Sequence, residues 1–283
     1  MSTVANLPYT VWTIDVDVYM GRNDRHMDVR LDGKVALVTG ADSGIGQGIA
    51  IEFARSGADV AIHYYSDQAG AESTAAQVRE AGRKALVVQA DVGDEDAVTR
   101  MFAEFDAAFE HIDILVNNAG QGGGGPVTQM DPAAWDRVLK TNLYGPFYCG
   151  QQAARRMLAR DKGGRIIQIT SVHEEACSAG GAAYCVSKSG LRNLMRSQAI
   201  ELGKSGITVN GIAPGMIVSP MNQAAADSEQ VRDEAAAVIP VGRVGYPSDI
   251  ANMATFLASD LAGFCSGSTF FVDGGWMLTY PPV

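Results

Sequence analysis

The stretch Val35-Ala36-Leu37-Val38-Thr39-Gly40-Ala41-Asp42-Ser43-Gly44-Ile45-Gly46 decides the fold. Four consecutive apolar residues read as a buried strand, and the glycine-rich turn after them opens a segment of helical composition. The start of such a helix presents unpaired backbone N–H groups and the positive end of its dipole, which together suit a pyrophosphate. Gly40 permits the tight turn, Gly44 lets the backbone approach the phosphates, and Gly46 lets the helix pack against the strand. Three glycines in an arbitrary loop would mean little; placed between a strand and a helix they point to a dinucleotide site.

Working outward, short β-branched runs alternate with longer amphipathic stretches from Leu31 onward. That alternation is expected of a doubly wound α/β domain of Rossmann type, a parallel sheet with helices on both faces. Seven strands are predicted, at 35–39, 59–64, 85–89, 112–117, 165–170, 207–212 and 269–272. Helices are predicted at 68–81, 94–110, 143–159 and 184–202, where apolar residues recur at three and four. No internal repeat or interdomain linker interrupts the pattern, so 31–283 reads as one domain.

Two stretches break the rhythm. In the extension 1–30, Trp12, Ile14, Val16, Val18 and Met20 alternate with Thr13, Asp15, Asp17 and Tyr19, a period of two that fits either a short strand or a loosely attached arm. The Ala- and Gln-rich stretch 219–240 follows the sixth strand, where an insertion is expected to cover a ligand as a lid.

Composition narrows the function. With 32 acidic against 22 basic residues the net charge is −10, which repels a nucleic acid instead of releasing its counterions. No apolar run approaches the ~20 residues that cross a bilayer, and residues 1–30 lack a basic start followed by an apolar core. A cytoplasmic protein without membrane or nucleic-acid partners is the expectation. Cys149, Cys177, Cys185 and Cys265 form no CxxC pair, so they read as reduced, buried thiols and no metal is implied.

Tyr184 and Lys188 lie four apart in a predicted helix and share one face. A phenol with a pKa near 10 is a poor base at neutral pH. A cation about 4 Å away at an effective dielectric of ~20 is worth up to ~4 kcal/mol, and at ~1.36 kcal/mol per pKa unit that would draw the phenol towards 7. Tyr184 would then exchange a proton with a substrate hydroxyl.

The spacing G-x-x-x-G-x-G at Gly40, Gly44 and Gly46 resembles that of the short-chain dehydrogenase/reductase family, and the likeness continues in order along the chain. Asn117-Asn118-Ala119-Gly120 ends the fourth strand, Asn142 opens a helix, Ser171 ends the fifth strand, Tyr184 to Lys188 supplies Y-x-x-x-K, and Pro214-Gly215 follows the sixth strand. The resemblance implies hydride exchange with a nicotinamide cofactor and a catalytic set of Asn142, Ser171, Tyr184 and Lys188. Ser171 would hydrogen-bond the reacting oxygen, and Asn142 would hold a water in the proton path from Lys188. It also implies cofactor contacts at Gly40, Asp42, Ser43, Gly44, Ile45, Gly46, Tyr64, Tyr65, Asp91, Val92, Asn118, Ala119, Gly120, Tyr184, Lys188, Pro214, Gly215, Ile217 and Ser219. Asp91 reads equally as the N-cap of the next helix. A homotetramer is implied, assembled partly through the helices that follow Asn142 and Tyr184.

Cofactor choice turns on the end of the second strand. NAD-binding members carry an acid at the place of Tyr64 and NADP-binding members carry Arg or Lys nearby; this chain has neither, whereas Asp42 in the glycine loop opposes a 2′-phosphate. NAD is therefore expected over NADP.

Ser171-Val172-His173-Glu174, Pro220-Met221-Asn222 and Asp273-Gly274-Gly275 resemble glucose 1-dehydrogenases and related sugar dehydrogenases more than ketoacyl reductases. His173, Glu174 and Asn222 are the expected substrate residues, with loop ordering an equal reading for His173 and Glu174. Gln121-Gly122-Gly123-Gly124-Gly125 stands where those sugar enzymes place an acid, and 178–183 is small throughout, which implies a roomier, less polar pocket. The substrate expected is a small-molecule alcohol, ketone or sugar, bulkier or less polar than an unsubstituted hexose. The alternatives are a 3-ketoacyl-carrier reductase and a non-catalytic dinucleotide sensor.

Overall fold

The computed structural model describes residues 29–279, so the alternating run Trp12 to Met20 lies outside the described residues. Seven strands form a single parallel sheet: β1 (Val35–Val38), β2 (Asp59–Tyr64), β3 (Ala85–Gln89), β4 (Ile114–Asn117), β5 (Gly164–Ile169), β6 (Ile207–Pro214) and β7 (Thr269–Val272). Their order is β3-β2-β1-β4-β5-β6-β7, with Leu37 opposite Ala61 on one side and Leu115 on the other. The chain winds outward in both directions from β1 and β4, and the crevice beyond their carboxyl ends is where such sheets take ligands.

Side-chain alternation divides the core in two. Ala36, Val38, Val60, Ile62, Ile114 and Val116 face one side. They pack there against α1 (Gly44–Arg55) and α2 (Gln68–Glu80). Val35, Leu37, Ala61 and Leu115 face α3 (Glu95–Ala108) on the other side. The remaining helices are α4 (Pro132–Leu139), α5 (Gly145–Arg160), α6 (Ala182–Leu202), α7 (Gln223–Asp227), α8 (Glu229–Ala236), α9 (Pro247–Ala258) and α10 (Trp276–Thr279). Ile250, Ala254 and Leu257 of α9 join the first cluster, and Cys149 and Met157 of α5 join the second.

Several sequence expectations are corrected. Asn142 does not open a helix but sits, fully buried, in a π-helical turn (Lys140–Tyr144) joining α4 to α5. The N-cap of α3 is Asp94, which accepts from Ala97 N at 3.0 Å, so that reading of Asp91 falls away. The thiols are not all buried, since Cys177 is exposed. Burial pushes the Cys149 thiol up to about 12, in keeping with a packing role. Among the described residues no helix is long and apolar enough to cross a membrane, and no His, Cys, Asp and Glu group is placed to hold a metal.

Candidate active site

The glycine turn is shaped by the residues beneath it. Gly40 and Gly44 adopt φ of +60° and +56°, the left-handed region open to glycine. A Cβ on Gly46 would lie 2.1 Å from the Gly40 carbonyl oxygen, so only glycine lets α1 close on β1. Asn118, at the end of β4, donates through Nδ2 to the carbonyls of Thr39 (3.0 Å) and Gly40 (2.8 Å). The Asn118 and Ala119 amides in turn donate to Thr39 Oγ1, at 2.9 and 3.0 Å. Asn118 thus fixes the turn against the neighbouring strand. His63 of β2 does the same from the other side, where its Nδ1 accepts from Gly40 N at 3.0 Å and its Nε2 faces Ala90 O at 3.1 Å. Burial holds the His63 pKa down to about 4. Sequence reading passed over His63, although a histidine within a β-branched strand run was a signal.

Two adjoining cavities open above the sheet. The larger, about 630 Å³, is lined by Gly40, Asp42, Ser43, Gly44, Ile45, Tyr65, Asp91, Val92, Asn118, Ala119 and Gly120. The smaller, about 370 Å³, is lined by Ser171, His173, Tyr184, Lys188, Pro214, Gly215, Ile217, Ser219 and Asn222. Ile45, Asn118, Gly120 and Ser219 border both, which makes one continuous trough. Ser43, the N-cap of α1, makes no side-chain cap bond, which leaves the first backbone N–H groups of α1 without that partner, and Ser219 and Pro220 stand over the turn at Gly44. The residues present fit a dinucleotide: the glycine turn lines one cavity, and Tyr184 and Lys188 line the other.

Two expected contacts are corrected. Tyr64 lies on the same face of β2 as Ile62 and is packed in the core; the exposed Tyr65, one residue on, faces the trough. Glu174 borders neither cavity, because its buried carboxylate turns back to Arg192 Nε of α6 at 3.2 Å. Burial raises the Glu174 pKa and the Arg192 charge opposes that rise. Sequence reading also missed Arg137, Lys140 and Thr141, which line the larger cavity, and Met216 and Trp276 join Met221 around the smaller one. Of the stretch 219–240, Ser219, Pro220, Met221 and Asn222 border the trough.

The expected catalytic side chains come from three elements. Ser171 follows β5; its Oγ accepts from His173 N at 3.1 Å, and its hydroxyl also interacts with the Tyr184 phenol beside it. Tyr184 and Lys188 share one face of α6, with Lys188 Nζ 5.5 Å from the phenol ring centre. Lys188 is buried and donates to Ile169 O at 2.9 Å. Burial lowers its pKa to about 8. Burial also raises the Tyr184 phenol, against the pull of Ser171, so the fall towards 7 expected from Lys188 is not reached by these side chains alone. Asn142 borders neither cavity: its Nδ2 donates to Gln121 O (3.0 Å) and Ser187 Oγ (3.1 Å), and its Oδ1 accepts from Gln121 N (2.8 Å). It stands behind the trough and links its Gln121 wall to the Tyr184–Lys188 helix.

The chain is similar to known proteins along most of its length. The family model described as enoyl-(acyl carrier protein) reductase matches residues 40–277. The 3-oxoacyl-[acyl-carrier-protein] reductase of Staphylococcus aureus is 41% identical over 242 residues, 86% of this chain and 97% of its own. The chain belongs to the short-chain dehydrogenase/reductase family. Solved short-chain dehydrogenases superpose over most of its length. Acetoin dehydrogenase from Enterobacter cloacae has a TM-score of 0.81 and 37% identity, covering 88% of this chain and 98% of that one. Gluconate 5-dehydrogenase from Burkholderia cenocepacia J2315, solved with NADP and tartrate, gives 0.82 and 35%, covering 89% and 98%. As a short-chain dehydrogenase/reductase the protein is an oxidoreductase acting on CH–OH groups.

Proposed function

We propose that the protein interconverts a small secondary alcohol, or a sugar-type hemiacetal, and its carbonyl, with NAD preferred over NADP. The observation that carries this reading is the meeting of Ser171, Tyr184 and Lys188 at the end of a trough that starts on the Gly40–Gly46 turn. The nicotinamide supplies or accepts the hydride when bound. Ser171 donates to the substrate oxygen and orients it. The Tyr184 hydroxyl gives its proton to that oxygen in reduction and takes it back in oxidation. Lys188, charged below about pH 8, favours the phenolate and holds the cofactor ribose. Asn118, pinned to Thr39 and Gly40, keeps the turn in place. Ser219 to Asn222 contribute the near edge of a lid formed by 219–240. An acid at Asp42 and the lack of Arg or Lys between His63 and Gln68 support NAD, although Arg137 and Lys140 add positive charge farther along the trough. Exposed Tyr144, Phe147, Val186 and Ile200 on and beside α5 and α6 support assembly as a homotetramer.

The relationship to the Staphylococcus aureus enzyme favours a second reading, reduction of a 3-oxoacyl group on a carrier protein. An acidic carrier would meet a net charge of −10, which disfavours it. Absorbance at 340 nm, with both cofactors against polyols, aldoses, hydroxyketones, simple ketones and acyl thioesters, separates the two. Activity on thioesters alone would replace the first reading by the second.

A further inference from the structure

His173 carries a constraint that its residue type alone does not reveal. Its Nδ1 lies 2.9 Å from Ala176 O, and a carbonyl only accepts, so Nδ1 bears the hydrogen. In the neutral ring Nε2 is then a bare acceptor. The ring stands at 80° to that of Tyr184, with centres 5.9 Å apart, and borders the same cavity as Ser171. Its backbone amide is tied to Ser171 Oγ, so imidazole and hydroxyl keep a fixed relation. Several neighbouring polar groups have partners of their own. Thr170 Oγ1 donates to Ile212 O, Asn222 Nδ2 to Met216 Sδ, and Gln121 Nε2 to Arg137 O.

Resting on the oxidoreductase reading, we propose that His173 Nε2 accepts a hydrogen bond from a hydroxyl on the carbon next to the reacting one, so that the site selects vicinal diols and α-hydroxyketones. Ser171 and Tyr184 bracket the reacting oxygen, and an acceptor held two residues from Ser171 on the same turn meets the adjacent substituent. A plain ketone, or a 3-oxoacyl thioester with CH₂ beside its carbonyl, leaves Nε2 facing carbon and unpaired. A site built for a hydrogen bond rejects the analogue that lacks it.

The test compares kcat/KM for 3-hydroxybutan-2-one and butan-2-one in the wild type, His173→Phe and His173→Gln, with melting temperature and cofactor binding as folding controls. The wild type is expected to favour the hydroxyketone at least tenfold, about 1.4 kcal/mol, and His173→Phe to bring the ratio close to one. His173→Gln, which retains an acceptor, is expected to keep part of the preference. Equal use of the two ketones by the wild type, or an unchanged ratio in His173→Phe, overturns the inference and leaves the oxidoreductase reading standing. If His173→Phe does not fold, His173→Leu, which also lacks the acceptor, takes its place: a ratio close to one supports the inference and an unchanged ratio overturns it. No turnover of any alcohol or carbonyl with either cofactor overturns the parent reading and this inference together.

Discussion

The Gly40 amide donates to Nδ1 of His63 at 3.0 Å, so the cofactor turn leans on an imidazole that must stay neutral. The same ring meets Ala90 O through Nε2, which fixes the proton there. Protonating Nδ1 would set two N–H groups against each other.

Stability should therefore fall in mild acid. The folded pKa of about 4 lies below the ordinary 6.5, so between these values the unfolded chain binds more protons and stability rises with pH. The contribution is complete above 6.5 and is lost as pH falls towards 4, at most about 3 kcal/mol. His63→Gln, which can accept from Gly40 and donate to Ala90 without titrating, should flatten this slope in urea unfolding between pH 7 and 4.5. Equal slopes in the two proteins would remove His63 as the cause.

Proton transfer gives the second prediction. Tyr184→Phe keeps the ring and should still bind cofactor by fluorescence titration, yet lose ~10²- to 10⁴-fold in kcat. Lys188→Ala should lose at least as much and weaken cofactor binding as well. In the wild type, Lys188 sheds its proton above about pH 8, so carbonyl reduction should decline above that pH. Because burial raises the Tyr184 phenol, alcohol oxidation should improve with alkalinity until the loss of the Lys188 charge opposes it. Near wild-type kcat in purified Tyr184→Phe would remove the acid/base role.

How much of this was legible in the sequence depended on whether the signal was a pattern or a direction. The strands at 59–64, 85–89 and 269–272 were read at their observed bounds, because β-branched runs there end at turn residues. Helix Pro132–Leu139 escaped notice because it runs for only eight residues and buries only Val138, although Asp131 followed by Pro132 was a start signal. The π-helical turn around Asn142 likewise has no local sequence signature. Residue types at the site were visible, but side-chain directions were not. Tyr64 and Glu174 are the right kinds of residue for their expected roles, yet strand parity turns one into the core and Arg192 draws the other away.

Cofactor preference offers a third measurement. Asp42 and Tyr65 border the trough at the end of β2, and Asp42 Oδ2 accepts from Ser43 Oγ at 3.2 Å. A 2′-phosphate brought to this end would meet that carboxylate. The ratio of kcat/KM should favour NAD, and Asp42→Arg or Tyr65→Arg should move it towards NADP by tenfold or more, about 1.4 kcal/mol. A wild-type preference for NADP would show that Arg137 and Lys140 outweigh Asp42.

Glucose should be a poor substrate, and the structure gives reasons that the sequence alone did not. A hexose must trade strong hydration for matched hydrogen bonds, and each hydroxyl buried without a partner costs ~1–3 kcal/mol. The loop at 121–125 offers one polar side chain, and Gln121 already donates to Arg137 O at 2.7 Å and Thr141 Oγ1 at 3.0 Å. Glu174, the nearest acid in the chain to Ser171, faces Arg192 instead of the cavity. Around Ser171 and Tyr184 stand Val172, Met216, Met221 and Trp276; of the other polar residues there, Thr170, Asn222, Asn118 and Lys188 already donate to protein atoms, which leaves His173 and Ser219. Such a wall satisfies two neighbouring oxygens, not four. Two unmatched hydroxyls would lower kcat/KM by roughly 30- to 20,000-fold relative to a substrate that lacks them. Steady-state kinetics with glucose, a deoxy or methylated sugar, a small hydroxyketone and an aryl ketone should therefore place glucose last or nearly so. A glucose kcat/KM two orders of magnitude above the others would mean that His173, Asn222 and Ser219 suffice for a sugar and that the apolar wall moves aside for it.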